Sequence, residues 1–120
     1  MTLMEFPAEE GCMKERLLQT IRQRCAGRKM QWTNHMMFRI MQRGISLADV
    51  SHVLQTGEII EMYPTDYPYP SCLVSGYVEN HACIHVVCGV GPCDLHLITA
   101  YRPDPEQWDD DGKIRKEISS

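Results

Sequence analysis

The chain has 120 residues, 43% of them hydrophobic and 23% charged, with a formal charge of −4 at pH 7. That is room for one ordinary domain, and no apolar run approaches the roughly 18 residues of a helical membrane span, which excludes one. The acidic total argues against non-specific binding of nucleic acid over the whole surface, yet the charge is uneven: residues 1–43 hold eight Lys or Arg against four Glu, and the remainder four against twelve.

Residues 1–11, with an acid and a proline near the start, read as a loose leader and not as a secretory signal, so the expected location is cytoplasmic. From Met13 to Cys25, apolar residues at Met13, Leu17, Leu18, Ile21 and Cys25 keep the 3.6-residue period of an amphipathic helix, which Ala26-Gly27-Arg28-Lys29 ends. A second helix follows Trp32, with Thr33 or Asn34 as N-cap and Gly44 where a left-handed residue closes a helix. At about 100° per residue, His35, Arg39 and Arg43 fall on one stripe and Met36, Met37, Ile40 and Met41 on the opposite side. Such a helix buries one face and offers the other to anions. Solvated charge is the ordinary alternative, and Arg43 in the last turn also complements the helix dipole. A third helix runs from Ile45 to Gly57, with Ser46 as N-cap, Asp49 completing a near capping box and Gly57 at C′.

After Gly57 the pattern changes to short β-rich runs: Glu58 to Tyr63, Cys72 to Glu79, Ala82 to Val90 and Leu95 to Tyr101. Pro64-Thr65-Asp66-Tyr67-Pro68-Tyr69-Pro70 forms a stiff loop carrying Tyr63, Tyr67 and Tyr69, which marks either a contact surface or a cover for the core edge. Gly89-Val90-Gly91-Pro92 makes the last hairpin, and Arg102-Pro103-Asp104-Pro105 stops the final strand. Helices followed by strands predict an α+β layer, with helices on one face of a four-stranded antiparallel sheet and the other face available for function.

Six cysteines without a secretory signal read as free thiols. None forms a C-x-x-C pair, so a structural zinc site is a poor match and no metal or cofactor is expected; only the alternation of His81, Cys83 and His85 along one strand face keeps a metal in view. The polar residues that need explaining are His35, Arg39, Arg43, His85, Tyr101 and Arg102. Cleaving RNA without a metal needs a base for the 2′-hydroxyl, an acid for the 5′-oxygen and cations for the phosphorane, tasks that suit His, Tyr and Arg. Each has a structural alternative: His85 as a satisfied core histidine, Tyr101 as a strand-end anchor. His52 and His96 have weaker claims. Strand register decides part of this. If Ile84 pairs with Thr99, His85 lies beside His96 and away from Tyr101; a slip of one puts His85 and Tyr101 on one face.

The order His35…Arg39…Arg43-Gly44-Ile45, Gly57-Glu58-Ile59-Ile60-Glu61, Tyr69-Pro70-Ser71-Cys72-Leu73, His85-Val86-Val87 and Tyr101-Arg102-Pro103-Asp104-Pro105…Trp108 resembles a small bacterial and archaeal family of unknown function grouped with the RelE-like toxins, whose fold is that of barnase and the colicin ribonucleases. The resemblance covers roughly residues 32–115. It divides the chain into a leader and first helix, 1–31, and a RelE-like domain, 32–120, within one compact unit. It implies helices on a four-stranded antiparallel sheet and metal-independent endoribonuclease chemistry on an RNA substrate. A cognate antitoxin, of zinc-finger type, is the implied partner.

On that resemblance His85 or His35 serves as acid/base, Arg39 and Arg43 hold the scissile phosphate with Arg102 as a further RNA contact, and Tyr101 orients. This chain departs from such toxins in its acidity and in Asp109-Asp110-Asp111, which repels RNA. The rival expectation is a non-catalytic module that binds a protein or a metal on the same fold. Homo-oligomers through an exposed strand edge are a further expectation.

Overall fold

The computed structural model describes residues 5–79 and 82–108, with side chains from residue 13 onward. Helix α1 spans Glu5–Ala26, strand β1 Met30–Trp32, helix α2 Asn34–Gln42 and helix α3 Leu47–Thr56. The strands β2 Glu58–Tyr63, β3 Ser71–Tyr77, β4 Cys83–Val90 and β5 Leu95–Tyr101 follow. Helix α1 begins earlier than expected: residues 5–11, read as leader, are helical. Pro7 falls in the first turn, where a missing N–H costs nothing and the fixed φ of proline suits a helix.

The α2 and α3 termini follow the sequence closely. Thr33 has extended backbone and its hydroxyl accepts from Met36 N at 3.1 Å, while Gly44 takes the left-handed φ of +70° that lets the chain leave α2. Ser46 and Asp49 form a full capping box, each side chain accepting from the other's backbone N–H at 3.0 Å. Gly57 is a correction. It is not a left-handed C′ residue but an extended C-cap, φ −83° and ψ −171°. Glycine is needed there for space, because a Cβ would stand 2.6 Å from Val53 O and closer still to Ser75 O. Gly76 on β3 is approached from the same side, its missing Cβ 3.2 Å from Val53 Cγ1. The pair of glycines lets the end of α3 lie directly on β3.

The sheet has five strands in the order β1-β5-β4-β3-β2 and is mixed, not the expected four-stranded antiparallel array. β2 to β5 form an antiparallel meander, and β1 joins β5 in parallel through Met30↔Leu95, Gln31↔His96 and Trp32↔Leu97. With three residues β1 is too short to show alternation, and it exists because β5 supplies partners, including Leu95 N to Lys29 O at 2.9 Å. Two bulges interrupt the ladders, one at Ile59/Glu61 and one where Val87 pairs with Thr99 but Cys88 with Leu97. The second leaves Ile98 unmatched and reverses the side-chain parity of β5, so Leu95, Leu97 and Ala100 all reach the core.

One core holds Ile21 and Cys25 of α1, Met36 and Ile40 of α2, Val50, Val53 and Leu54 of α3, and the strand residues Val74, Ile84 and Val86. All three helices therefore serve one sheet face. Cys72 and Cys88 are cross-strand neighbours in this core, Sγ to Sγ 3.9 Å, and both are wholly buried. The hydrogen bond with Cys72, then burial, then the charges of Cys72 and Cys25, push the Cys88 thiol well above its ordinary value. Among the described residues, no helix is long and apolar enough to cross a membrane.

Two outcomes follow from this packing. Gly57→Ala will destabilise the fold by about 3 kcal/mol, read as a lower urea midpoint, because neither carbonyl facing the new methyl can retreat without moving α3 or β3. A thiol raised in the folded state contributes stability that is intact below the unfolded value of about 8.5 and is lost as pH rises beyond it. Unfolding at pH 7.5 and 9.5 will show that loss in the wild type and a smaller one in Cys88→Ala.

Candidate functional site

Cross-strand register settles which side chains meet. His85 pairs with Tyr101, Val87 with Thr99 and Gly89 with His96, so His85, His96, Thr99 and Tyr101 belong to the face away from the helices. β3 adds Ser71, Leu73 and Ser75 to that face as partners of Gly89, Val87 and His85. His85 and Tyr101 share a face, as a slip of one would have it, but the register is three residues away from an Ile84–Thr99 pairing, and its bulge keeps His96 on that face as well. The ring centroids of His85 and Tyr101 are 5.4 Å apart at 64°.

Trp108 adds a third ring, perpendicular to His85 with centroids 4.6 Å apart. A short turn delivers it: Asp104 Oδ1 accepts from Glu106 N at 2.9 Å, and Asp104 O accepts from Gln107 N at 2.9 Å and Trp108 N at 3.0 Å. His85 is 0% and Trp108 2% exposed. The imidazole is thus enclosed by aromatic rings on the second face.

The arginines of the predicted site divide. Arg43 is exposed like the rest of the stripe, but its Nη1 donates to Ala100 O at 2.9 Å and Thr99 Oγ1 at 3.2 Å. β1 pairs β5 only as far as Leu97, so Arg43 supplies a donor where that strand's edge has no neighbour. Arg102 reaches back and donates to Arg43 O and, at 3.5 Å, to Gly44 O, satisfying carbonyls at the end of α2 and complementing its dipole. The two guanidiniums form a reciprocal clasp between α2 and β5. His35 and Arg39 are exposed on α2, away from His85. Their neighbours include Phe38 at 60% and Met41 at 68% exposure. Met41, expected on the buried side, is therefore a correction: burial centres on Met36 and Ile40, and Met41 lies about 100° round the helix from Ile40.

A second polar cluster, with weaker sequence claims, lies at the start of β5. Nε2 of His96 is buried and 3.0 Å from Asp94 Oδ1, but the geometry is not that of an aligned hydrogen bond. Gln31 Nε2 donates to Asp94 Oδ2. Tyr69, from the proline-rich loop, stacks on the imidazole with centroids 4.7 Å apart at 30°. Arg24 of α1 holds the hairpin below, donating to Gly91 O, to Pro92 O at 3.0 Å and to Asp94 O at 3.3 Å. The available signal was Asp94-x-His96, which places both on one side of a strand; Gln31 and Tyr69 come from distant segments and carried none.

Among the described residues, no group of three His, Cys, Asp or Glu is arranged to hold a metal, and Cys25, Cys72, Cys83, Cys88 and Cys93 are free thiols. His81, one member of the alternating set, lies outside the described residues.

These elements define a small α+β domain with a helix-covered sheet face and a second face bearing two histidines. The chain belongs to the DUF4258 family, a domain of unknown function, whose model matches residues 32–102. That description makes no connection with RelE-like toxins. No curated protein and no solved structure matches the chain significantly.

The clasp is testable by unfolding. Arg43→Ala will cost about 1–2 kcal/mol, Arg102→Ala less because its bonds are more exposed, and the double variant less than the sum, since each arginine steadies the other's anchor.

Proposed function

We propose that this domain is a metal-independent endoribonuclease of RelE-like type, the toxin of a toxin–antitoxin pair, which works through an acid/base histidine on the sheet face away from the helices. The observation that carries the reading is the β4–β5 register, which gathers His85, His96 and Tyr101 on that face. Histidine exchanges protons near neutral pH, and tyrosine is suited to orient a phosphate or a hydroxyl. His35 and Arg39 are exposed on α2, on the helix side of the sheet, while Arg43 and Arg102 act by holding α2 to β5. The cognate antitoxin and the RNA substrate are the partners of this reading.

A second reading, a non-catalytic protein-binding module, is favoured by the complete burial of His85 beneath Trp108. In it the histidine is packing, and the exposed Phe38, Met41 and Arg39 of α2 supply the contact surface.

Mixed-sequence RNA incubated with the protein in EDTA separates the two. The wild type will cut, and a folded His85→Gln/His96→Gln double variant will lose at least about a hundredfold in rate, whichever histidine carries the proton. Intact RNA with folded wild-type protein, ribosomes included, selects the binding module.

A further inference from the structure

The two histidines of the second face are not equivalent. His85 pairs opposite Tyr101 and His96 opposite Gly89, four residues along β4, so they stand about 13 Å apart by strand rise. One scissile phosphate cannot meet both. His85 is wholly enclosed, whereas the His96 side chain is 32% exposed and carries a carboxylate, Asp94, at 3.0 Å. Gln31 holds the other oxygen of that carboxylate, and Arg24 pins the backbone of the same turn. With the carboxylate 3.0 Å from Nε2, the other ring nitrogen, Nδ1, is the one left to exchange a proton.

We propose that His96, paired with Asp94 and backed by Tyr69, is the proton-transferring residue, and that the site takes single-stranded RNA. The inference rests on the endoribonuclease reading and changes its catalytic residue. Nδ1 of His96 accepts the proton of the 2′-hydroxyl as its oxygen attacks phosphorus. The P–O5′ bond breaks, the 5′-oxygen takes a proton from water, and the imidazolium returns its own to solvent, leaving a 2′,3′-cyclic phosphate and a 5′-hydroxyl. Tyr69 covers one face of the imidazole, and Tyr67 on the same loop is 93% exposed. An aromatic ring beside a histidine, with a second exposed on the same loop, suits unpaired bases, which have π-faces free to stack; a duplex does not present them. Arg24 and Lys29 line a groove of about 520 Å³ with Pro92 and Cys93, on the turn that bears Asp94, and offset its charge for the approaching backbone.

The test follows cleavage of a single-stranded oligoribonucleotide in EDTA, together with the histidine ring signals by NMR on adding a 2′-O-methyl oligouridylate, which lacks the attacking hydroxyl. The expected result is a loss of at least about a hundredfold in His96→Gln and about tenfold in Asp94→Asn, against less than about threefold in His52→Gln. The uncleavable strand will shift the His96 signals and leave those of His52 in place. Cleavage lost in His85→Gln and kept in His96→Gln overturns the inference while the endoribonuclease reading stands. RNA that shifts His96 but is never cut overturns the catalytic role. No cutting and no shift at His96 overturn the inference and the reading together.

Discussion

The structure depends on how β4 and β5 are aligned, and that alignment turns on one unmatched residue, Ile98. Without the bulge, strict alternation would carry Ala100 away from Leu95 and Leu97; with it, all three enter the core beneath α2 while His96, Thr99 and Tyr101 share the second face. The C-terminal half of β5 runs past the end of its other neighbour, β1, and there Arg43 takes over as donor. The helix layer and the second face thus have a common origin in one strand pairing.

The clasp between α2 and β5 illustrates how charge near a candidate site can be spent on architecture. A helix with His35, Arg39 and Arg43 in series presents, on a helical wheel, a uniform cationic stripe. Packing rotates α2 so that its buried direction runs through Met36 and Ile40, which brings Arg43 round to the strand and leaves Phe38 and Met41 in solvent. Periodicity gives the relative angles of the side chains but not the direction of the core, and a nine-residue helix has few apolar positions to point the way.

The second face is built in the opposite manner, from side chains brought together over long separations. Tyr69 arrives from the proline-rich loop, Gln31 from β1, Arg24 from α1 and Trp108 from the turn after β5. Its two histidines therefore have different surroundings within one sheet: one enclosed by rings, the other set against a carboxylate at the margin. Burial and access, not residue type, separate their chemical prospects.

What the sequence by itself determined were the features whose causes are local. The caps Thr33, Ser46 and Asp49, the left-handed Gly44, the bodies of α2 and α3 and the positions of strands β2 to β5 all follow from residues within a turn or a strand of one another. Tertiary structure decided the rest, for reasons no local pattern contains. β1 is a strand only because β5 offers it partners, Gly57 is an extended cap because Ser75 O stands in the way of a side chain, and His85 is buried because Trp108 folds back over it. Register is a property of two strands together, and the bulge that sets it is stabilised by the core it creates.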